Sequence, residues 1–344
     1  MDGAVSDSRT AHSVSFVEQC RQAVADSPVL ITVIVLAVVF LFFALVASNF
    51  LSMYALSNVL TFASIYGIVT VGVTFLMISG EFDLSVGSVL ALGGYTFLYS
   101  LLAGVPPVLA VVFALIVSAL LGLINGLIVT RSGIPSLIAT LGTLLAYRGI
   151  AHALGRGRSI PYNVPAKPFL FDLLNGYIAP INNLTDPAGN FRVSSLWFIG
   201  LVLVMTVVLT RTRYGIWSFS VGGNPGAALA TGVNVKRVKT LNFVLSGLLA
   251  GFAGVVLFAQ RTSMYELMGE GLELTVVAAA VIGGVSLSGG VGTIGGAALG
   301  IILLSMLEQG LVLMGVPNDI FRGVAGAIAI GSVVANHYIG GRQS

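Results

Sequence analysis

An all-α polytopic membrane protein is the fold class this sequence predicts, and three observations predict it. The 344 residues are 56% apolar and only 8% charged, against roughly a quarter charged in an average soluble domain. Mean hydropathy is +1.01, and runs of about 20 mostly apolar residues, the length that crosses a bilayer as a helix, recur along the chain. The runs are continuous rather than alternating, which argues against a β-barrel, and helices satisfy their own backbone inside lipid. One cysteine, Cys20, excludes an intrachain disulfide and a cysteine metal cluster. A net charge of +3 is no footprint for nucleic acid.

The apolar runs and their breaks predict about ten transmembrane helices. The first, 28–47, follows a polar tail, 1–27, that lacks the short basic start and cleavage site of a secretory signal. The second and third, 58–79 and 85–103, are parted by two acids, Glu81 and Asp83. The fourth, 107–129, stops before Arg131, and the fifth is 135–154. Residues 155–193 hold Pro161, Pro165, Pro168, Pro180 and Pro187 and read as an extracytoplasmic loop of irregular or short helical structure. The sixth span is 194–210 and the seventh 240–259. The eighth and ninth, 272–287 and 292–315, flank a glycine-rich break, and the tenth, 321–339, leaves a tail at 340–344. An even number of spans puts both termini on one side. Between the sixth and seventh, 211–239 carries five cations, Arg211, Arg213, Lys236, Arg237 and Lys239, and no acid. The positive-inside tendency therefore places this loop and both termini in the cytoplasm. Glycines cluster around Gly80–Gly94 and Gly283–Gly300; they read as close helix packing, with helices that break or bend during access switching as the other reading.

The 211–239 loop contains its own helix signals. Asn224 is a good N-cap, because its side-chain oxygen can accept an orphan backbone N–H. Pro225 suits the first turn, Gly226, Ala227, Ala228, Leu229, Ala230 and Thr231 are helix-compatible, and Gly232 can take the left-handed conformation that ends a helix. A short apolar helix between basic flanks suits docking into a partner's groove or lying on lipid headgroups.

Glu81 and Asp83 interrupt a stretch otherwise uncharged from Asp26 to Arg131. A carboxylate at the bilayer centre costs ~2.5–3.5 kcal/mol on insertion scales, so the segment reads as a junction between spans. Three readings compete. Both acids are solvated in a cytoplasmic turn, or Asp83 caps the next helix through the N–H of Ser85 or Val86, or both acids line a hydrophilic path for a polyol. Glu81, Asp83, Ser85 and Asn125 are thus candidates for a substrate path or a helix junction. Asn242, inside the seventh span, reads as glue between helices, with contact to the solute as the other reading. No Gly-x-x-x-x-Gly-Lys-Ser/Thr phosphate loop and no Ser/His/Asp arrangement occurs in the sequence, so no cofactor, metal or catalytic residue is expected.

Four segments resemble the permease subunits of ribose-type (simple sugar) ABC importers. They are "GEFDLSVGSVLAL", "GLINGLIVTRSGIPSLIATLGTLLAYRGI", "GGNPGAALATGVNVKRVKTLNFVLSGLLAGFAGVV" and "AAAVIGGVSLSGGVGTIGGAALG". The resemblance implies a bacterial inner-membrane subunit that pairs with a second permease, binds a cytoplasmic ATPase through a coupling helix and receives its solute from a periplasmic binding protein. ATP would be hydrolysed by the partner. The matching coupling segment is Asn224 to Gly232. The implied solute is a monosaccharide or small polyol moved by alternating access; a nucleoside or signalling molecule is the alternative, and a stand-alone secondary transporter the rival class. The chain departs from the family pattern at one place, where Gly80-Glu81-Phe82 stands for Gly-Gly-Ile.

Overall fold

The computed structural model describes residues 28–164, 167–184 and 188–317, with a few further positions up to Gly331. Both tails, and all but isolated positions of the expected tenth span, lie outside the described residues. The other nine spans are helices: α1 (Pro28–Val46), α2 (Met53–Ile78), α3 (Val86–Leu102), α4 (Pro107–Ser132), α5 (Ser136–Gly155), α8 (Val193–Arg211), α11 (Val235–Arg261), α12 (Leu272–Ile282) and α13 (Ile294–Leu313). Seven are long and apolar enough to cross a membrane; α3 and α12 are shorter apolar helices. Two helices begin at Met53 and Val235, ahead of the expected starts at 58 and 240. Ser52 accepts the Ala55 N–H at 3.2 Å and starts α2 early, and Asn234 accepts the Arg237 N–H at 3.0 Å and starts α11 at Val235. Caps of this kind fix where the first turn begins, which hydropathy does not register.

The helices divide into inner and outer sets. Across its span α2 is 83% buried, and α11 and α13 are 67% buried, whereas α1 is only 11% and α4 and α8 are 22% buried. The inner helix α11 packs against α2, α3 and α4, while α13 packs against α2, α12 and α1. Polar residues on α2 are paired: Thr61 donates to the Asn190 carbonyl at 2.8 Å, Ser64 to Ser194 Oγ at 2.9 Å, and Thr74 to the Thr70 carbonyl at 2.7 Å. Unpaired, each would cost several kcal/mol in a water-free interior (roughly 2–7 by transfer scales). The α4–α11 contact depends on glycine, since a Cβ on Gly122 would lie 2.3 Å from the Phe243 carbonyl oxygen.

The 155–193 segment has the short helical structure expected of it. Helices α6 (Phe169–Asn175) and α7 (Ala179–Asn182) follow β1 (Ile160–Pro161), which pairs antiparallel with β2 (Ser263–Met264). Phe171 sits 5.9 Å from both Phe97 and Phe258, ring centre to ring centre, and Asn175 donates to the Val256 carbonyl at 3.1 Å. The segment is thereby fastened to α3 and α11.

Three expectations are corrected. The 211–239 segment is not a loop around one helix: α9 (Arg213–Gly223) precedes α10 (Pro225–Ala230), and α11 takes the last residues. Thr212 caps α9 by accepting the Gly215 N–H at 3.3 Å, and Asn242 of α11 holds it through Tyr214 Oη and, at 3.4 Å, Ser218 Oγ. This bears out Asn242 as interhelical glue. The break between the eighth and ninth spans is also wider than expected, running from Gly283 to Thr293, because Gly284, Gly289 and Gly290 adopt left-handed conformations and Thr293 caps α13 through the Gly296 N–H at 2.9 Å. Finally, Asp83 accepts the Ser85 N–H as expected, but it stands two residues ahead of the N-cap position of α3, which Ser85 occupies.

Candidate functional site

The sequence frames α10, and the structure builds it as framed. Asn224 is extended (φ −152°, ψ 96°), and its Oδ1 accepts the Ala227 N–H at 3.0 Å. Pro225 occupies the first turn. Past Thr231 the chain turns at Gly232, φ +86°, and Val233 N donates back to the Ala228 carbonyl at 3.0 Å. Only Ala228 is buried, 3% exposed, in a small cluster with Val221 of α9 and Val238 of α11. Pro225, Gly226, Ala227, Leu229 and Ala230 face outward, and Leu229 is 66% exposed. The result is a short prong clipped between two helices by a single methyl group.

Immediately before the prong, three chain segments meet backbone to backbone. Gly222, near the end of α9, lies against Ile78 at the end of α2 and against Gly290 in the α12–α13 connection. A Cβ on Gly222 would fall 1.8 Å from the Ile78 carbonyl oxygen and 2.6 Å from Gly290 N. Gly290 N also donates to the Ile78 carbonyl at 2.9 Å. Gly80, at φ +81°, turns the chain out of α2, and the Glu81 N–H closes the turn on the Leu76 carbonyl at 3.2 Å. The sequence marks Gly80 and Gly290 as members of separate clusters. That Gly222 joins them is a tertiary fact with no local signal.

The four candidate junction residues separate into two groups. Asp83, Ser85 and Asn125 come together, each fully buried. Asp83 Oδ1 accepts the Ser85 N–H at 2.8 Å and the Ser85 hydroxyl at 2.7 Å, closing a turn in front of α3. Asn125 Nδ2, on α4, donates to Ser85 Oγ at 2.8 Å and to Asp83 Oδ1 at 3.3 Å. Tyr147 Oη, on α5, donates toward Asn125 Oδ1 and the Leu121 carbonyl, both at 3.2 Å. Burial, the larger effect, pushes the Asp83 carboxyl pKa up, against the donors on Oδ1. Asp83 Oδ2 is buried with no hydrogen-bond partner among the described residues. Tyr147 is the member of this cluster that sequence reasoning missed.

Glu81 stands apart. It is 8% exposed, and Lys239 Nζ, in the second turn of α11, donates to its Oε1 at 2.5 Å. It is therefore not solvated surface, one of the readings open to it from sequence. Beside the pair lies a cavity of ≈ 310 Å³ lined by Val129, Thr130, Pro135 and Lys236. His152 pairs with Glu266 at 3.5 Å, and no group of three metal-ligating side chains occurs among the described residues.

Residues 55–333 match the family described as branched-chain amino acid transport system / permease component. The chain is also 33% identical over 286 residues to the ribose import permease RbsC of Bacillus subtilis (strain 168), covering 82% of this chain and 85% of that one. The chain belongs to this permease family. To the probable ABC transporter permease YphD of Escherichia coli (strain K12) the permease is 34% identical over 311 residues, 90% of each chain. To the autoinducer 2 import permease LsrC of Yersinia pseudotuberculosis (serotype IB, strain PB1/+) it is 32% identical over 300 residues, 86% of this chain and 80% of that one. No solved structure matches. These relatives and the family description cover branched-chain amino acids, ribose and autoinducer 2, so the family identifies an ABC permease component and leaves its solute open.

Proposed function

We propose that the permease is the membrane subunit of an ATP-binding-cassette importer that moves a monosaccharide or related small polyol across the bacterial inner membrane. A cytoplasmic ATPase docks on α10, a periplasmic binding protein delivers the solute, and a second permease subunit, identical or paralogous, completes the path. Both termini and α10 face the cytoplasm. The chain itself contributes no phosphate-binding loop, so the partner hydrolyses ATP.

The observation that carries this reading is the prong. It is capped at Asn224, closed at Gly232 and presents an exposed Leu229, the shape of an element meant to be gripped from outside. Its attachments supply the mechanism. A push on α10 reaches α9 through Val221, α11 through Val238, and the end of α2 through the glycine joint. Because packed elements move as rigid bodies, nucleotide-driven motion of the ATPase would switch the path between outward and inward states. The ribose permease relative supports a sugar. The autoinducer 2 permease relative, at nearly the same identity, supports a signalling molecule as the second reading.

Leu229→Glu tests the docking. Burying a carboxylate at the centre of a contact is expected to cost about 2 kcal/mol or more, roughly a 30-fold loss of affinity. ATPase association should fall accordingly in co-purification and titration of the detergent-extracted permease, and solute uptake should fall with it. The side chain is exposed, so the permease itself should fold normally. Undiminished association and uptake would overturn the coupling role of α10.

A further inference from the structure

We infer that the Glu81–Lys239 ion pair is a latch that ties the α2–α3 junction to the segment carrying α10, and that Glu81 and Lys239 act as positioning residues for coupling. The inference rests on the reading of α10 as the element the ATPase grips.

The argument starts with Lys239. Lys236 and Arg237 lie in the first turn of α11, where the helix dipole disfavours cations, and Lys239 follows in the second. The helix end offers the Lys239 charge no favourable partner, and its side chain is only 19% exposed. Its placement is explained by Glu81, 158 residues earlier in the chain, at 2.5 Å.

Each partner is anchored to a different moving part. On one side, Glu81 follows the left-handed turn at Gly80, its N–H bonded to α2, and Phe82 N donates to Ser136 Oγ of α5 at 3.1 Å. Two residues on, Asp83 sets the start of α3. On the other side, Lys239 follows the Asn234 cap, which follows α10 and its Gly232 turn. The pair is the charged connection between these two lines. Motion of α10 swings the first turns of α11, and the latch either carries Glu81 with it or opens. The adjoining cavity, lined by Glu81, Lys239, Thr130 and Lys236, leaves room for the lysine to move when the bond breaks.

A purely structural ion pair would change folded yield alone. A latch changes how much solute moves per ATP hydrolysed. The experiment reconstitutes the full complex, with ATPase and binding protein, in proteoliposomes. It compares the wild-type chain with Glu81→Gln, Lys239→Gln, the charge-exchanged Glu81→Lys/Lys239→Glu and the doubly neutral Glu81→Gln/Lys239→Gln. Uptake per ATP hydrolysed should fall by about fivefold or more in the single and doubly neutral variants, within the range of ordinary coupling energies. The ATPase should stay bound, and the exchanged pair should recover much of the loss. Where a lone buried charge prevents folding, the doubly neutral variant decides, because it leaves no charge unpaired. Wild-type stoichiometry in the doubly neutral variant, or no recovery in a folded exchanged pair, overturns the latch. Failure of Leu229→Glu to release the ATPase would instead overturn the reading beneath it, so the two failures are distinguishable.

Discussion

Replacing Gly222 by alanine should remove most of the folded permease. The added Cβ would sit 1.8 Å from the Ile78 carbonyl oxygen and 2.6 Å from Gly290 N, and both are backbone atoms that cannot rotate away. Relief requires parting α9 from the end of α2, which also breaks the Gly290–Ile78 hydrogen bond. Overpacking in a well-packed interior usually costs 1–3 kcal/mol and sometimes more, and a collision with two backbones belongs at or above the top of that range, about 3 kcal/mol. Gly226 is the internal control. It is an exposed residue of the neighbouring helix, and its nearest contact, Asn224 Oδ1, would lie at an ordinary 3.4 Å from the added carbon. Gly226→Ala should be neutral or stabilise α10 by up to about 1 kcal/mol, the usual gain of alanine over glycine within a helix. Monodisperse yield after detergent extraction and the thermal unfolding midpoint measure both. A Gly222→Ala permease that matches Gly226→Ala in both would mean that the three segments do not meet as described.

The contrast between these two glycines also marks what sequence can reveal here. Gly226 and Gly232 sit in a segment whose structure is written locally: Asn224 starts α10, Pro225 suits its first turn, and Gly232 ends it. The membrane helices are legible for the same reason, since an uninterrupted apolar run has one stable form in lipid. Helix α9 is not legible. "RYGIWSFSVGG" buries Gly215, Ser218 and Val221 while Ile216 and Trp217 are exposed, and Asn242 reaches it from another helix. Glu81 shows the limit most sharply. Its position at a junction follows from hydropathy, but its burial depends on Lys239, which local patterns cannot pair with it. Tyr147 is overlooked because a tyrosine in an apolar run has no special spacing; its role comes from facing Asn125 across two helices.

Asp83 is where the remaining choice, helix junction or solute path, becomes an experiment. Asn125→Leu should be far more damaging than Asp83→Asn. Leucine removes the amide that bonds both Ser85 Oγ and Asp83 Oδ1, and the acceptor that Tyr147 uses. It leaves a fully buried carboxyl with its turn in front of α3 as its only support. Leaving buried polar groups without partners costs about 1–3 kcal/mol each, and here Ser85, Asp83 and Tyr147 all lose one. Asp83→Asn keeps an Oδ1 acceptor for Ser85 and Asn125 and removes the ionisable group. Its cost is a new amide donor where Oδ2 lies unpartnered, about 1–3 kcal/mol. If the cluster is a junction, uptake in both variants should track the amount of folded permease, measured by thermal unfolding of the same preparations. The geometry favours that outcome, because Asp83, Ser85 and Asn125 are each 0% exposed and three helices converge on them rather than opening a channel. An Asp83→Asn permease that folds like the wild type, holds its ATPase and no longer transports would reverse the assignment. It would mean that the carboxylate meets the solute in a state of the cycle other than the one described here.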